Sequence, residues 1–129
     1  MKKPTLKHLI FLAATFCAVA LCVVSCSKKP QQAIVGKWNV QGKDMVVEFR
    51  KDGTMISSQK GVDTIDKYLF LDDTHVQLDM NATAGNDMIK VRVTADVVVQ
   101  GDNASITIAV PVRAGMPAVL QTVHYTRIK

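Results

Sequence analysis

From Ile89 to Val99 the chain alternates. Ile89, Val91, Val93, Ala95, Val97 and Val99 share one parity, while Lys90, Arg92, Thr94, Asp96 and Gln100 share the other. A two-residue period sends successive side chains to opposite faces of an extended strand, so this segment buries one apolar face only as β structure. Further strand-like runs follow along the chain at Ile34–Val40, Met45–Phe49, Thr54–Ile56, Val76–Met80, Ala104–Val110 and Ala118–Ile128. Another, Thr64–Leu71, is apolar on both sides because Tyr68 and Phe70 oppose Ile65, Leu69 and Leu71. Turn signals separate these runs, with Asp52-Gly53 the strongest local hairpin signal and Asp72-Asp73-Thr74 and Gly101-Asp102-Asn103 further turns. The polar run Asn81–Asp87 is predicted to be a loop, and Pro111–Pro117 an apolar connection. About eight strands with short turns predict an all-β antiparallel up-and-down barrel. A β-sandwich is the alternative, and a barrel is favoured because closure removes exposed edges.

The first 25 residues follow a different rule. Lys2, Lys3 and Lys7 precede an apolar run from Leu9 to Val24, which ends at Ser25-Cys26. The run falls short of the roughly 20 apolar residues that a spanning helix needs. A charged start, an apolar stretch and a small residue at its end mark a secretory leader. The order Val23-Val24-Ser25-Cys26 resembles the lipobox of bacterial lipoproteins. That resemblance implies removal of residues 1–25 and two or three acyl chains, palmitate among them, on Cys26. It also implies a place in the bacterial cell envelope, and Ser27 resembles signals for outer-membrane delivery, facing the periplasm, where two membranes exist. A plain secreted protein and an uncleaved membrane anchor are the alternatives. Residues 26–33 read as the lipidated cysteine and a polar tether, and residues 34–129 as the barrel domain.

Removing the leader also changes the cysteine and charge balance. Of three cysteines, Cys17 and Cys22 leave with it, so Cys26 has no intramolecular partner. Of the 16 basic residues, three lie in the leader, and the remainder exceeds the 11 acidic residues by only two. Lysine and aspartate are interspersed rather than gathered into a stripe, which argues against nucleic acid as a partner.

Gly36-Lys37-Trp38 opens the first strand, and Val47-Glu48-Phe49-Arg50-Lys51-Asp52-Gly53-Thr54 spans the first hairpin. Together they resemble the small lipocalin-like domains of bacterial lipoproteins. The resemblance implies that Trp38 packs across one barrel end beneath a basic side chain near the last strand, for which Arg127 is the counterpart. Gly36 then allows close backbone approach. Trp38 is expected to plug the core rather than touch a ligand. The resemblance also implies a small apolar or amphipathic ligand, and the predicted inward residues Val47, Phe49, Val91, Val93, Ile106, Ile108, Val123 and Tyr125 would line its site. The same residues would equally make a filled core, leaving a protein-interaction module, such as an inhibitor or assembly accessory with an envelope partner, as the alternative.

Catalytic patterns are weak. His75 and His124 fall on the polar parity of their strands without metal-ligand spacing. Asp72-Asp73 suits a turn better than paired carboxylate chemistry, and Ser57-Ser58 lacks a strand-turn-helix context. No phosphate-cradling glycine loop opens a helix. The expectation is a non-enzymatic protein with no metal and no cofactor. The segment Val110–Val119 is apolar around Met116, and is expected either to tuck against the barrel or to act as a lid or docking loop.

Overall fold

The computed structural model describes residues 27–110 and 114–129. A four-residue helix, α1 (Pro30–Ala33), leads into eight strands: β1 Gly36–Val40, β2 Val46–Phe49, β3 Thr54–Gln59, β4 Val62–Phe70, β5 His75–Ala84, β6 Asp87–Gln100, β7 Asn103–Val110 and β8 Val119–Arg127. Each pairs antiparallel with its sequence neighbour, and β8 returns to β1 through Trp38↔Arg127, Asn39↔Thr126 and Val40↔Tyr125. The ring is closed, so the chain is an up-and-down, lipocalin-like barrel and not a sandwich.

Two local readings differ from the sequence expectation. Residues 30–33 were expected as tether but form α1, with Pro30 at its first turn, where the missing N–H costs nothing. The expected loop Asn81–Asp87 is mostly strand, because the β5–β6 ladder runs on to Ala84↔Asp87 around Gly85-Asn86. Cross-strand pairing overrides the low strand propensity of Asn81, Ala82 and Ala84. A tight turn at Lys60-Gly61, with φ of 51° and 77°, similarly lets β3 run on to Gln59. Both central residues there take the left-handed backbone that a two-residue hairpin demands.

The barrel has a sealed half and an open half. At the end carrying α1, inward side chains from every strand meet, with Trp38, Ile34, Phe49 and Val76 at 0–2% exposure. Phe49 stands edge-on to Tyr68 and Tyr125 at centroid distances of 5.3 and 6.2 Å. Such aromatic pairs add about 0.5–1.5 kcal/mol each beyond burial. Toward the other end the ladders stop at different heights. The β4–β5 pairing ends at Lys67↔Asp79 and the β6–β7 pairing at Ala95↔Ile108, while β5 and β6 remain paired beyond both. From Asn81 to Thr94 the hairpin therefore stands as two strands with unpaired outer edges, apart from the contacts of Asn81 described below.

Candidate functional site

The closed end is centred on Trp38. Trp38 alternates inward from β1 and donates its indole N–H to the carbonyl of Ile34 at 2.7 Å. Arg127, at the end of β8, lies across the ring with its guanidinium carbon 4.2 Å from the centroid. It donates to the carbonyls of Val35 (3.1 Å) and Ala33 and approaches the Asp102 carboxylate at 3.7 Å. The stack is worth about 0.5–2 kcal/mol depending on desolvation. Gly36 sits beneath it at φ +135°, and a Cβ there would lie 2.9 Å from an Arg127 nitrogen. Gly36, Trp38 and Arg127 thus form one cluster that ties α1, the first strand and the last strand together.

Above this floor the eight residues expected to line a ligand separate into two tiers. Val47, Phe49, Ile106 and Tyr125 are buried members of the sealed core. Val91, Val93, Ile108 and Val123 also face inward, each on the open-end side of the buried residues of its strand, and are only partly buried. Ile89, Val110 and Val119 continue that inner parity toward the open end at 44%, 38% and 56% exposure. Above the solid aromatic floor, the inner parity of β6, β7 and β8 is thus apolar apart from the exposed Gln121, and these residues outline the candidate cup. Met116 at the tip of the β7–β8 connection is 59% exposed rather than tucked against the wall. Pro111–Arg113 of that connection and Cys26 lie outside the described residues.

The wall opposite is more polar, and its key residue is Asp66, which sequence analysis did not single out. Asp66 is 8% exposed and sits at an inward parity of β4. Its carboxylate accepts the backbone N–H of Asn81 at 3.0 Å, where the next β4–β5 ladder bond would otherwise form. Asn81 returns a 3.4 Å bond to the carbonyl of Ile65. The side chains thus end the ladder and part β4 from β5. A charged residue at the parity of Tyr68 and Phe70 was the signal available in the sequence.

His75 shows a second cluster. Its ring nitrogens lie 2.8 Å from Asp72 and 3.3 Å from Asp96, with the imidazole and both carboxylates largely exposed. The Thr74 backbone N–H, and then His75, hold the Asp72 carboxyl well below the usual carboxylate range. Asp72 is chiefly a turn cap, accepting the N–H groups of Thr74 and His75. Among the described residues, no group of three or more His, Cys, Asp or Glu side chains is arranged to hold a metal ion.

Both tyrosines belong to the sealed half. Burial pushes the Tyr125 phenol up to about 12, and burial together with Asp52 raises Tyr68, whose hydroxyl donates to the Arg50 carbonyl. Because the native state favours the neutral phenols, their contribution to stability is complete below pH ~10 and fades as pH rises, for Tyr125 through about 12. In the native chain Tyr125 is expected to stay neutral at pH ~10, where a free tyrosine is half ionised, and Tyr68 to ionise above the free value. The urea-unfolded chain should titrate near that pH. Half-ionised tyrosines in the folded chain at pH ~10 would refute their burial.

No protein-family model and no curated protein matches the chain.

Proposed function

We propose that the chain is a lipid-anchored protein of the bacterial envelope, held by Cys26, whose barrel takes a small apolar or amphipathic molecule into the cup. The observation that carries this reading is the tier of Val91, Val93, Ile108 and Val123. These apolar side chains point inward yet remain partly open above a floor that is already full. Apolar surface left accessible inside a concave wall favours an apolar occupant. The polar wall near Asp66 suits an amphipathic molecule better than a pure hydrocarbon. The proposed role is binding without turnover. Where two membranes exist, the residue Ser27 after the acylated cysteine supports outer-membrane placement facing the periplasm.

The test is native mass spectrometry of the purified chain, with titration of a fluorescent fatty-acid analogue. Wild type is expected to carry small apolar molecules and to bind the analogue. Val93→Asp, which puts a charge into the upper tier, is expected to weaken binding at least tenfold while the fold is retained. An empty wild-type chain that ignores the analogue would remove the carrier reading.

One observation favours a second reading, an interaction module. The Asn81–Thr94 hairpin offers backbone donors and acceptors along its unpaired edges, onto which an extended segment of an envelope protein could add as a strand.

A further inference from the structure

We propose that the barrel rests side-on against an anionic bilayer through the outer face of β4, β5 and β6, an orientation that rests on the anchored reading above. Two adjoining grooves mark this face. One, of about 1130 Å³, is bordered by Lys28 from the N-terminal segment, Lys51 from the β2–β3 turn, Lys67 and Leu69 from β4, and Arg92 from β6. The other, of about 590 Å³, shares Lys67 and Arg92 and adds Ile65 and Lys90.

The groups bordering the two grooves are net positive, with Lys28, Lys51, Lys67, Lys90 and Arg92 against Asp52, Asp66 and Asp79. Asp79 is taken by Arg92 through bonds of 2.7 and 3.0 Å, and the Asp52 carboxylate accepts the Thr54 N–H at 2.9 Å within its turn. Among the described residues, Lys28, Lys51, Lys67 and Lys90 have no carboxylate within ion-pair distance. Between these lysines, Ile65 and Leu69 project outward from β4 at 61% and 59% exposure. Apolar side chains set among unpaired cations form the combination that seats at a headgroup boundary.

The path of the chain selects the same side. Because α1 is part of the folded unit, only Ser27–Lys29 separate it from Cys26. Three residues reach about 10 Å when extended, close to the Debye length of roughly 8–10 Å over which a charged surface is felt. Lys28 and the sealed end of the barrel are therefore held within electrostatic reach of the headgroups. β8, two strands beyond β6 around the ring, differs in charge: it presents Leu120, Thr122, His124 and Thr126 outward, with no lysine or arginine among them.

The test uses the full chain reconstituted into vesicles of phosphatidylglycerol and phosphatidylcholine with brominated acyl chains. Leu69→Trp and Leu120→Trp each add a probe at an exposed position, one on the proposed face and one on β8. The Leu69→Trp emission is expected to shift to the blue and be quenched relative to the parent, which carries Trp38 alone, while Leu120→Trp stays unquenched. Lys51→Glu with Lys67→Glu, or vesicles of phosphatidylcholine alone, should abolish the difference. Equal behaviour of the two probes would overturn the proposal. So would a Leu69→Trp blue shift that persists without lipid, which would mark self-association. Acylation is read separately by palmitate labelling: a labelled chain with unquenched Leu69→Trp refutes this face alone, whereas an unlabelled chain refutes the anchor.

Discussion

Trp38→Ala is expected to lower the free energy of unfolding by about 3–5 kcal/mol, the range for removing a large aromatic side chain from a packed core. Trp38 is fully buried, and its ring supports the Arg127 guanidinium. Truncation leaves a cavity at the narrow end, frees the carbonyl of Ile34 from its donor and removes the surface on which Arg127 lies. A domain of this size has about 5–15 kcal/mol in total, so the variant should be near its unfolding midpoint at modest urea concentration. Trp38→Phe keeps most of the apolar volume and should fall between the two. Urea denaturation followed by circular dichroism measures all three chains. An unchanged midpoint for the alanine variant, with loss of ligand instead, would make Trp38 a binding residue.

Cys26→Ser is expected to lose all labelled palmitate and to retain residues 1–25, since the lipobox resemblance makes this thiol both the acyl acceptor and the cleavage point. The size of the effect follows from hydrocarbon transfer. Each buried CH₂ contributes about 0.8 kcal/mol, so one long acyl chain is worth on the order of 10 kcal/mol. Lys28 and Lys29 add only about 1 kcal/mol each beside anionic headgroups. The mass of the product and autoradiography after palmitate feeding decide the outcome. A serine variant processed to the same length as wild type would assign the leader to a plain secreted protein. Wild type that retains its leader and takes no label would assign it to an uncleaved anchor.

Much of the barrel was visible in the order of residues because strand parity is a local property. Alternation at Ile89–Val99 and Ala104–Val110 marks the inward face without reference to any partner, and Asp52-Gly53 sets a hairpin by its own backbone preference. The ladder ends were not visible. Asn81 to Ala84 reads as loop by composition, and its strand state exists only because residues 87–90 pair with it. Lys60-Gly61 carries a weaker turn signal than Asp52-Gly53, because lysine rarely takes φ of 51° unless flanking strands impose it. Residues 30–33 have too few residues for a helix to be stable alone, and packing beside Arg127 supplies what propensity lacks.

The candidate cup shows the same division. Parity placed Val47, Phe49, Val91, Val93, Ile106, Ile108, Val123 and Tyr125 on one inner surface. It did not separate the sealed tier from the open one, since height along a barrel depends on strand stagger and on which inward side chains are large enough to meet. Three aromatic rings and the Trp38 indole converge in one half, and Asp66 parts β4 from β5 in the other. Local alternation and turn chemistry were enough to determine that this chain is a β protein and which side of each strand is apolar. Closure of β8 onto β1, the split into floor and cup, and the gathering of distant lysines beside Lys28 were decided by tertiary structure, because each joins residues that no short window of sequence contains.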